Sequence, residues 1–467
     1  MAADRPSPWK MPALLLGVLT ASFCLPLLWR GGAPVQLDAD EGWNMVRALL
    51  AARHVPLYGS PPGLDFTNYP FISFHVIAWL TALGADPLFA GRGLSVAALA
   101  VLCGFAGAFV RLFTPDRHAA LFAGFLVALW LAVWMPNRIA VDDPQFLAMM
   151  FEAAGFYVFV RTEKPGVLLW LSAWLFVLAL FTKQTLLSMP VAAGLTLILQ
   201  KRWSSLLQFL AAGAVGTALL LWLTDRVDGA CFLPNMLQPR AYIWRDLGAQ
   251  GGDYLLAFLP VLVLAAGWCW QHRRNARLLP FILAWLGANA LGFVFAGGDG
   301  VGRNVFFEAV LLSGGLAVAA CVEKPRSWRC LVLLFPFLWA PDHFIASIQQ
   351  DRALAQTQAD FAAGVALLKT VPGPVVCENL LMCARAGHAS AFYTYYVDSQ
   401  IRLGRMSSAA ITSMVAQRRL RAVEVGTTDK PEPLRRAQFT PGFLAALQAN
   451  YRLALRERAV SIWLPRT

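Results

Sequence analysis

Three carboxylates fall within four residues: Asp38, Asp40 and Glu41, in the stretch Gln36-Leu-Asp-Ala-Asp-Glu-Gly-Trp-Asn44. They open an amphipathic helical pattern continued by Trp43, Val46, Arg47, Leu49 and Leu50. An acid at a helix start is favoured by the helix dipole and can close a capping box. A cap does not need three. A carboxylate left over at such a place can take a proton from a nucleophilic hydroxyl, or hold a cation. A second pair, Asp142 and Asp143, ends Asn137-Arg-Ile-Ala-Val-Asp-Asp-Pro144, just before a proline of the kind that starts helices. Two cationic places accompany them. Lys183 sits between apolar runs in Phe181-Thr-Lys-Gln-Thr185, where a lysine either snorkels to the membrane edge or contacts a phosphate. Arg303 and Asn304 follow the glycine-rich turn Gly297-Gly-Asp-Gly-Val-Gly302, where a helix start suits an anion. Glu308 lies about one turn further in, where a charge in an apolar segment is costly and usually functional.

The elements that must hold these groups are membrane helices. Only 14% of the chain is charged, against about a quarter in soluble domains. Apolar runs long enough to cross a bilayer recur from residue 11 to about 345, and lipid leaves such runs no option but the helix. Eleven spans are expected: 11–29, 89–111, 118–135, 145–160, 166–181, 185–200, 204–224, 254–270, 278–296, 304–321 and 329–346. The first follows Arg5 and Lys10 as a signal peptide would. It has no small-residue cleavage site where one belongs and is read as an uncleaved span.

Residues 69–84 are apolar but short, with Pro70 at their start, and loop charge decides their place. If they do not cross, one set of connections carries fourteen Lys and Arg, at least two in every loop, from Arg5 and Lys10 through Arg111, Arg161, Lys201 and Arg273 to Lys324 and Arg326. The positive-inside rule puts that set in the cytoplasm. Residues 30–88, 136–144, 182–184, 225–253 and 297–303 then face outward, and all the groups above share one side. The net charge of +12 reads as this topology and contact with anionic lipid, not as nucleic-acid binding, because no basic stripe is interleaved with exposed aromatics.

The fold class expected is an all-α polytopic membrane protein (residues 1–346), with interfacial helices in its first outward loop, followed by a small outward α/β domain (347–467). Pro374-Val-Val-Cys377 and Leu420-Arg-Ala-Val-Glu-Val425 read as strands. Cys377 and Cys383 are the two cysteines of that tail and, in an oxidising compartment, candidates for a disulfide; two free thiols are the alternative. Tyr393, Tyr395 and Tyr396 suit either packing or a sugar-binding surface. His54 and His75 are isolated, and no CxxC pair occurs.

An acidic pair in the first outward loop, a short apolar helix after Tyr69-Pro70 and an acidic loop ahead of the fourth span together resemble the GT-C glycosyltransferases. The similarity is to the branch that contains protein O-mannosyltransferases, the aminoarabinose transferase of lipid A and galacturonosyltransferases of the lipopolysaccharide core. The tail around Val376-Cys-Glu-Asn-Leu380 and Ala386-Gly-His388 also resembles the end of bacterial members. The resemblance implies a bacterial inner-membrane enzyme that moves a single sugar from a polyprenyl monophosphate to a lipid, glycan or protein acceptor on the periplasmic face. It implies that Asp40 or Glu41 acts as base, that Asp142 or Asp143 positions the acceptor or a metal, and that Lys183 and Arg303 hold the donor phosphate. No cofactor is demanded, and a divalent metal is left open. The Trp-Trp-Asp-Tyr-Gly signature of oligosaccharyltransferases is absent. Three rivals remain. An O-antigen ligase or polymerase would rely on outward arginines such as Arg240 and Arg245. A lipid or glycan transporter would show repeat symmetry, and none is detectable. A non-catalytic assembly subunit is the third.

Overall fold

Apolar segments in lipid satisfy their own backbones, so the chain up to residue 324 is helix after helix. The computed structural model describes residues 7–61, 63–324, 328–426, 438–458 and 460–466, with the side chains of Trp328, His343 and Phe344 left aside. Arg5 and Arg326 of the loop-charge pattern lie outside the described residues. The helices are α1 (Lys10–Arg30), α2 (Ala39–Ala52), α3 (Ile72–Ala82), α4 (Pro87–Arg111), α5 (Arg117–Trp134), α6 (Gln145–Val160), α7 (Val167–Leu180), α8 (Ser188–Leu199), α9 (Trp203–Val227), α10 (Phe232–Met236), α11 (Trp244–Gln271), α12 (Leu279–Ala296) and α13 (Phe307–Glu323). A 3-10 helix, Trp328–Trp339, then runs into α14 (Ala340–Lys369).

Among the described residues, eight helical segments are long and apolar enough to cross a membrane. The protein is a multi-pass membrane protein. A helix stands at each of the eleven expected positions, but α6, α7 and α8 have 16, 14 and 12 residues, short of the roughly 20 of a full crossing. α13 is buried from Phe307 to Cys321 and forms the centre of the bundle. α1 and α9 instead turn Leu14, Val18, Leu25, Leu207, Leu210 and Trp222 outward, as lipid-facing helices do. Glycine lets α4 and α5 approach at backbone distance: a Cβ on Gly107 would stand 2.7 Å from the Ala120 carbonyl oxygen.

Two boundaries differ from expectation. α11 begins at Trp244, ten residues before the expected span, because a helix can carry polar first turns such as Arg245 and Asp246 beyond the bilayer. α14 continues well past residue 346, across the expected division of the chain, without a break. α3, with 11 residues, is too short to cross and packs against α2 and α4.

Beyond α14 the chain forms β1 (Val375–Cys377), α15 (Leu380–Arg385), α16 (Thr394–Arg402), α17 (Ala409–Ala416), β2 (Ala422–Gly426), α18 (Pro441–Asn450), β3 (Tyr451–Arg456) and β4 (Val460–Pro465). The sheet order is β1-β2-β4-β3, with β1 parallel to β2 and the other pairs antiparallel. Side chains alternate between its faces, as strand geometry requires. Val375, Cys377 and Ala422 meet Leu354, Phe361 and Leu368 of α14, whereas Val376 and Val423 meet Ile411 and Val415 of α17 and Phe443 of α18. The first of these clusters continues into Ala33, Val35, Met45 and Leu88, so the sheet rests on the loop and helix that carry the acidic pair.

Cys377 and Cys383 form a disulfide between the end of β1 and α15, with Cα atoms 6.0 Å apart. Alkylation of the unfolded protein without reductant should leave these two cysteines unlabelled while Cys269 and Cys321 react. Mass spectrometry of the peptides reads the result, and labelled Cys377 would contradict the bridge.

Candidate active site

The site begins at the start of α2. Asp38 caps the helix, accepting the Asp40 amide at 3.1 Å, and Glu41 reaches back to the Asp38 amide at 3.4 Å, which completes a capping box. Glu41 goes further. Its carboxylate accepts from Arg92 Nε and Nη2 at 2.7 and 2.8 Å, from the Leu37 amide at 2.7 Å and from the Asp142 amide at 3.0 Å. Arg92, from the first turns of α4, also donates to the Gly31, Ala33 and Val35 carbonyls at 2.6–2.8 Å. Glu41 is 0% exposed and touches neither of the cavities described below, whereas the Asp40 side chain is 39% exposed and lines both.

Arg138 is the second hub. Its Nη1 lies 3.1 Å from Asp38, 3.2 Å from Asp40 and 3.5 Å from Asp143. Burial works against its charge, but the three carboxylates hold its pKa well above the usual arginine value. Asp143 is also buried. Lys183 Nζ at 3.2 Å, together with Arg138, outweighs that burial and holds the carboxyl below its ordinary range. Asn304 Nδ2 donates to the same carboxylate at 3.0 Å. Lys183 is buried, with Tyr69 beneath its ammonium at 5.2 Å, and stays charged because Asp143 offsets its burial. Asp142 turns away from this group. Burial drives its carboxyl well above the ordinary range, and its Oδ2 has no partner. A Cβ on Gly91 would collide with the Asp142 carboxyl, so α4 needs glycine there. Arg303 pairs with Asp253 at 3.0 Å and lies over Trp134.

Of the expected site residues, the structure therefore gathers Asp40, Asp143 and Lys183 around Arg138. It sends Glu41 to Arg92, encloses Asp142 beside α4, and pairs Arg303 with Asp253. Glu308, in the bundle, is hydrogen-bonded by Ser188.

Two chambers adjoin Asp40. The larger, about 420 Å³, is lined by Asp38, Arg138, Arg245, Gln250, Asp398 and Arg402 among others. The smaller is lined by Trp43, Phe66, Tyr69, Arg240, Tyr393 and Tyr396 among others. Both share Asp40, Asp299, Gly300, Tyr393 and Tyr395. The tail thus walls both chambers, and Arg385 ties it to the membrane part through Asp86 at 2.6 and 2.9 Å.

No protein-family model matches the chain, and no curated protein sequence matches it significantly. Solved structures do. ArnT from Cupriavidus metallidurans superimposes with a TM-score of 0.64 in its apo form, at 14% identity, over 97% of this chain and 98% of that one. The same protein bound to undecaprenyl phosphate gives 0.61 at 11% identity, over 98% of each chain. An oligosaccharyltransferase from Archaeoglobus fulgidus in its apo form gives 0.50 at 10% identity, over 91% of this chain and 70% of that one. This chain has the GT-C fold.

Within that fold, Arg92 and Arg138 are the residues that sequence reasoning passed over. Arg92 stood alone with no motif around it, and Arg138 stood inside the second acidic stretch, where Asp142 and Asp143 drew the reading. Arg92 had one usable signal: it begins an apolar span, where a lone charge calls for a buried partner. A metal has no ready set of ligands here. Among the described residues no three His, Cys, Asp or Glu side chains converge as metal ligands, and the carboxylates that do converge, Asp38, Asp40 and Asp143, meet on the Arg138 guanidinium.

Replacing Arg92 by Met strands a buried carboxylate, and the expected loss is about 3–5 kcal/mol. Thermal unfolding in detergent should show it, with Asp40→Asn close to wild type. Asp38 supplies a pH prediction. Burial, only partly offset by Arg138, lifts its pKa from 3.8 to about 7. The folded state therefore binds this proton more tightly than the unfolded chain does. The resulting contribution is complete at low pH and is lost as pH rises through about 7. Asp38→Asn, which can still cap α2, should shrink the fall in stability between acidic and alkaline buffer. An unchanged difference would contradict the assignment.

Proposed function

We propose that this protein is a glycosyltransferase that moves one sugar from a polyprenyl monophosphate to a hydroxyl of a lipid, glycan or protein acceptor. The observation that carries the reading is the separation of the acid pair: Asp40 lines both chambers while Glu41 is consumed by Arg92. Asp40 is then the base. Its carboxylate takes the proton of the acceptor hydroxyl, the oxygen attacks the anomeric carbon, and the bond from that carbon to the phosphate oxygen breaks. Direct displacement inverts the anomeric centre.

The polyprenyl phosphate leaves with its electron pair, and positive charge must meet it. Lys183 is held on Asp143 and Arg303 on Asp253, so that task falls to arginines of the larger chamber. Arg245 lines that chamber with no ion pair to a carboxylate among the described residues. Arg138 orients Asp40, and Asp143 with Lys183 orients Arg138. The structure of ArnT with undecaprenyl phosphate supports a donor of this class. The proposed arrangement is a membrane part (1–346) in a bacterial inner membrane with a cytoplasmic N-terminus, and a periplasmic tail domain (347–467). The basic loops support that sidedness.

Asp40→Asn should lower transfer by about 10²–10⁴-fold, the span of a lost general base, with normal membrane insertion. Comparing the glycolipids and glycans of a deletion strain carrying either version reads the outcome. Retained transfer would sink the assignment.

A further inference from the structure

A cavity of about 510 Å³ lies toward the other end of α11 from Arg245, between α11, the end of α13 and the 3-10 helix. Nothing in the transfer reaction calls for it. Along α11 its wall runs from Leu259 to Gln271. At about 1.5 Å per residue that is roughly 18 Å, a little more than half of a hydrocarbon core about 30 Å thick. The cavity is a slot one leaflet deep.

The residues that line it explain why the space stays open. Pro260 has no N–H to give, so the helical ladder of α11 is interrupted near one end of the slot. Gly267 offers no side chain, and a Cβ there would meet no atom within 4 Å, so this glycine does not serve helix packing as Gly107 does. The facing wall is fixed. The carbonyl of Leu333, next to Val332 of the lining, accepts from Trp130 Nε1 at 3.1 Å. The rim turns to lipid, with Leu259 51% and Val263 61% exposed.

The slot is graded from apolar to cationic. Leu259, Pro260, Val263 and Leu264 make one end, and Gln271, Glu323 and Arg329 make the other. Glu323, the one acid of the lining, is engaged by α11 and the residue after it: Trp268 Nε1 donates to it at 3.1 Å and His272 Nε2 lies at 3.0 Å. Arg329 has no ion pair among the described residues. Arg273, Arg274 and Arg277 follow in the turn after α11. A cation at the mouth of a lipid-facing apolar slot complements a phosphate that carries acyl chains, and basic pockets between membrane helices take anionic head groups in this way.

We propose that the slot binds one anionic glycerophospholipid from the leaflet that meets the basic loops, an acyl chain lying along Leu259 to Gly267 and the phosphate on Arg329. The site is independent of Asp40 and of any transfer reaction.

The test uses the full-length protein in phosphatidylcholine nanodiscs. These are doped with phosphatidylglycerol bearing a diazirine on its acyl chain, or with phosphatidylcholine bearing the same group. Mass spectrometry after irradiation maps the labelled peptides. The anionic lipid should label the 259–271 and 329–334 peptides about fivefold more than the neutral one, the effect of one surface cation on an anionic lipid. Gly267→Leu fills the slot and keeps the arginine; Arg329→Gln keeps the slot and removes the charge. Each should bring the two lipids to equal labelling. Lys10→Gln, in the same set of basic loops but outside the slot, should leave the preference as it is. Thermal unfolding checks that the variants fold, and Val263→Trp or Arg329→Met replaces one that does not. Equal labelling by the two lipids in the unsubstituted protein overturns the site. So does a preference that survives Gly267→Leu or Arg329→Gln, or one that Lys10→Gln lowers as much.

Discussion

The carboxylate of Glu41 and the guanidinium of Arg92 form the contact on which the rest of this end of the bundle depends. A charge pair taken wholly out of water repays its desolvation only when the remaining polar atoms are also matched. Here they are. Glu41 accepts from Arg92, Leu37 and Asp142, and Arg92 donates to three carbonyls of the loop from Gly31 to Val35. The loop is wound around Arg92, α2 starts where the loop ends, and the second acidic loop is stitched to the same carboxylate. The direction in which Asp40 points follows from this. Adjacent helix positions are about 100° apart around the axis, so an acid locked inward at 41 helps to turn its neighbour toward the chambers.

A second pattern is charge cancellation in a confined space. Asp38, Asp40 and Asp143 would repel one another if left alone. Arg138 between them, with Lys183 behind Asp143, makes the group tolerable. The same network grades its members. Asp143 is held below the ordinary carboxyl range, Asp38 is pushed up to about 7, and burial, with Glu41 and Asp143 nearby, raises Asp142 well above that range. Neighbouring carboxyls thus differ in character because of their partners alone.

Much of this was legible in the sequence, and the illegible parts share a cause. Run length and loop charge located the helices and kept residues 69–84 out of the count of spans. Two of the four strands, β1 and β2, carried apolar signatures. β3, reading Tyr-Arg-Leu-Ala-Leu-Arg, is an edge strand that mixes charge with apolar residues, and β4, paired between β2 and β3, did not stand out either. Within the site, the acidic clusters announced themselves by density. Which acid faces inward did not, because that depends on Arg92, 51 positions away from Glu41. Lys183 between apolar runs and Arg303 after a glycine-rich turn were both read as phosphate contacts, yet one meets Asp143 and the other Asp253. A partner brought by tertiary folding leaves no local mark.

The contact between α15 and α2 has a consequence for biogenesis. A Cβ on Gly42 would stand 2.6 Å from the Leu381 amide nitrogen, so the tail presses directly on the helix that bears Asp40. The chambers bring residues near 40 together with residues near 395, far apart in the chain, and with the loops around 240 and 300. Until the segment near 395 is made, the chain in the membrane has only part of these cavities, open on the side the tail will cover. Contacts this distant in sequence form late and at a high entropic cost. The cavities beside Asp40 therefore close only when the sheet settles onto the first loop.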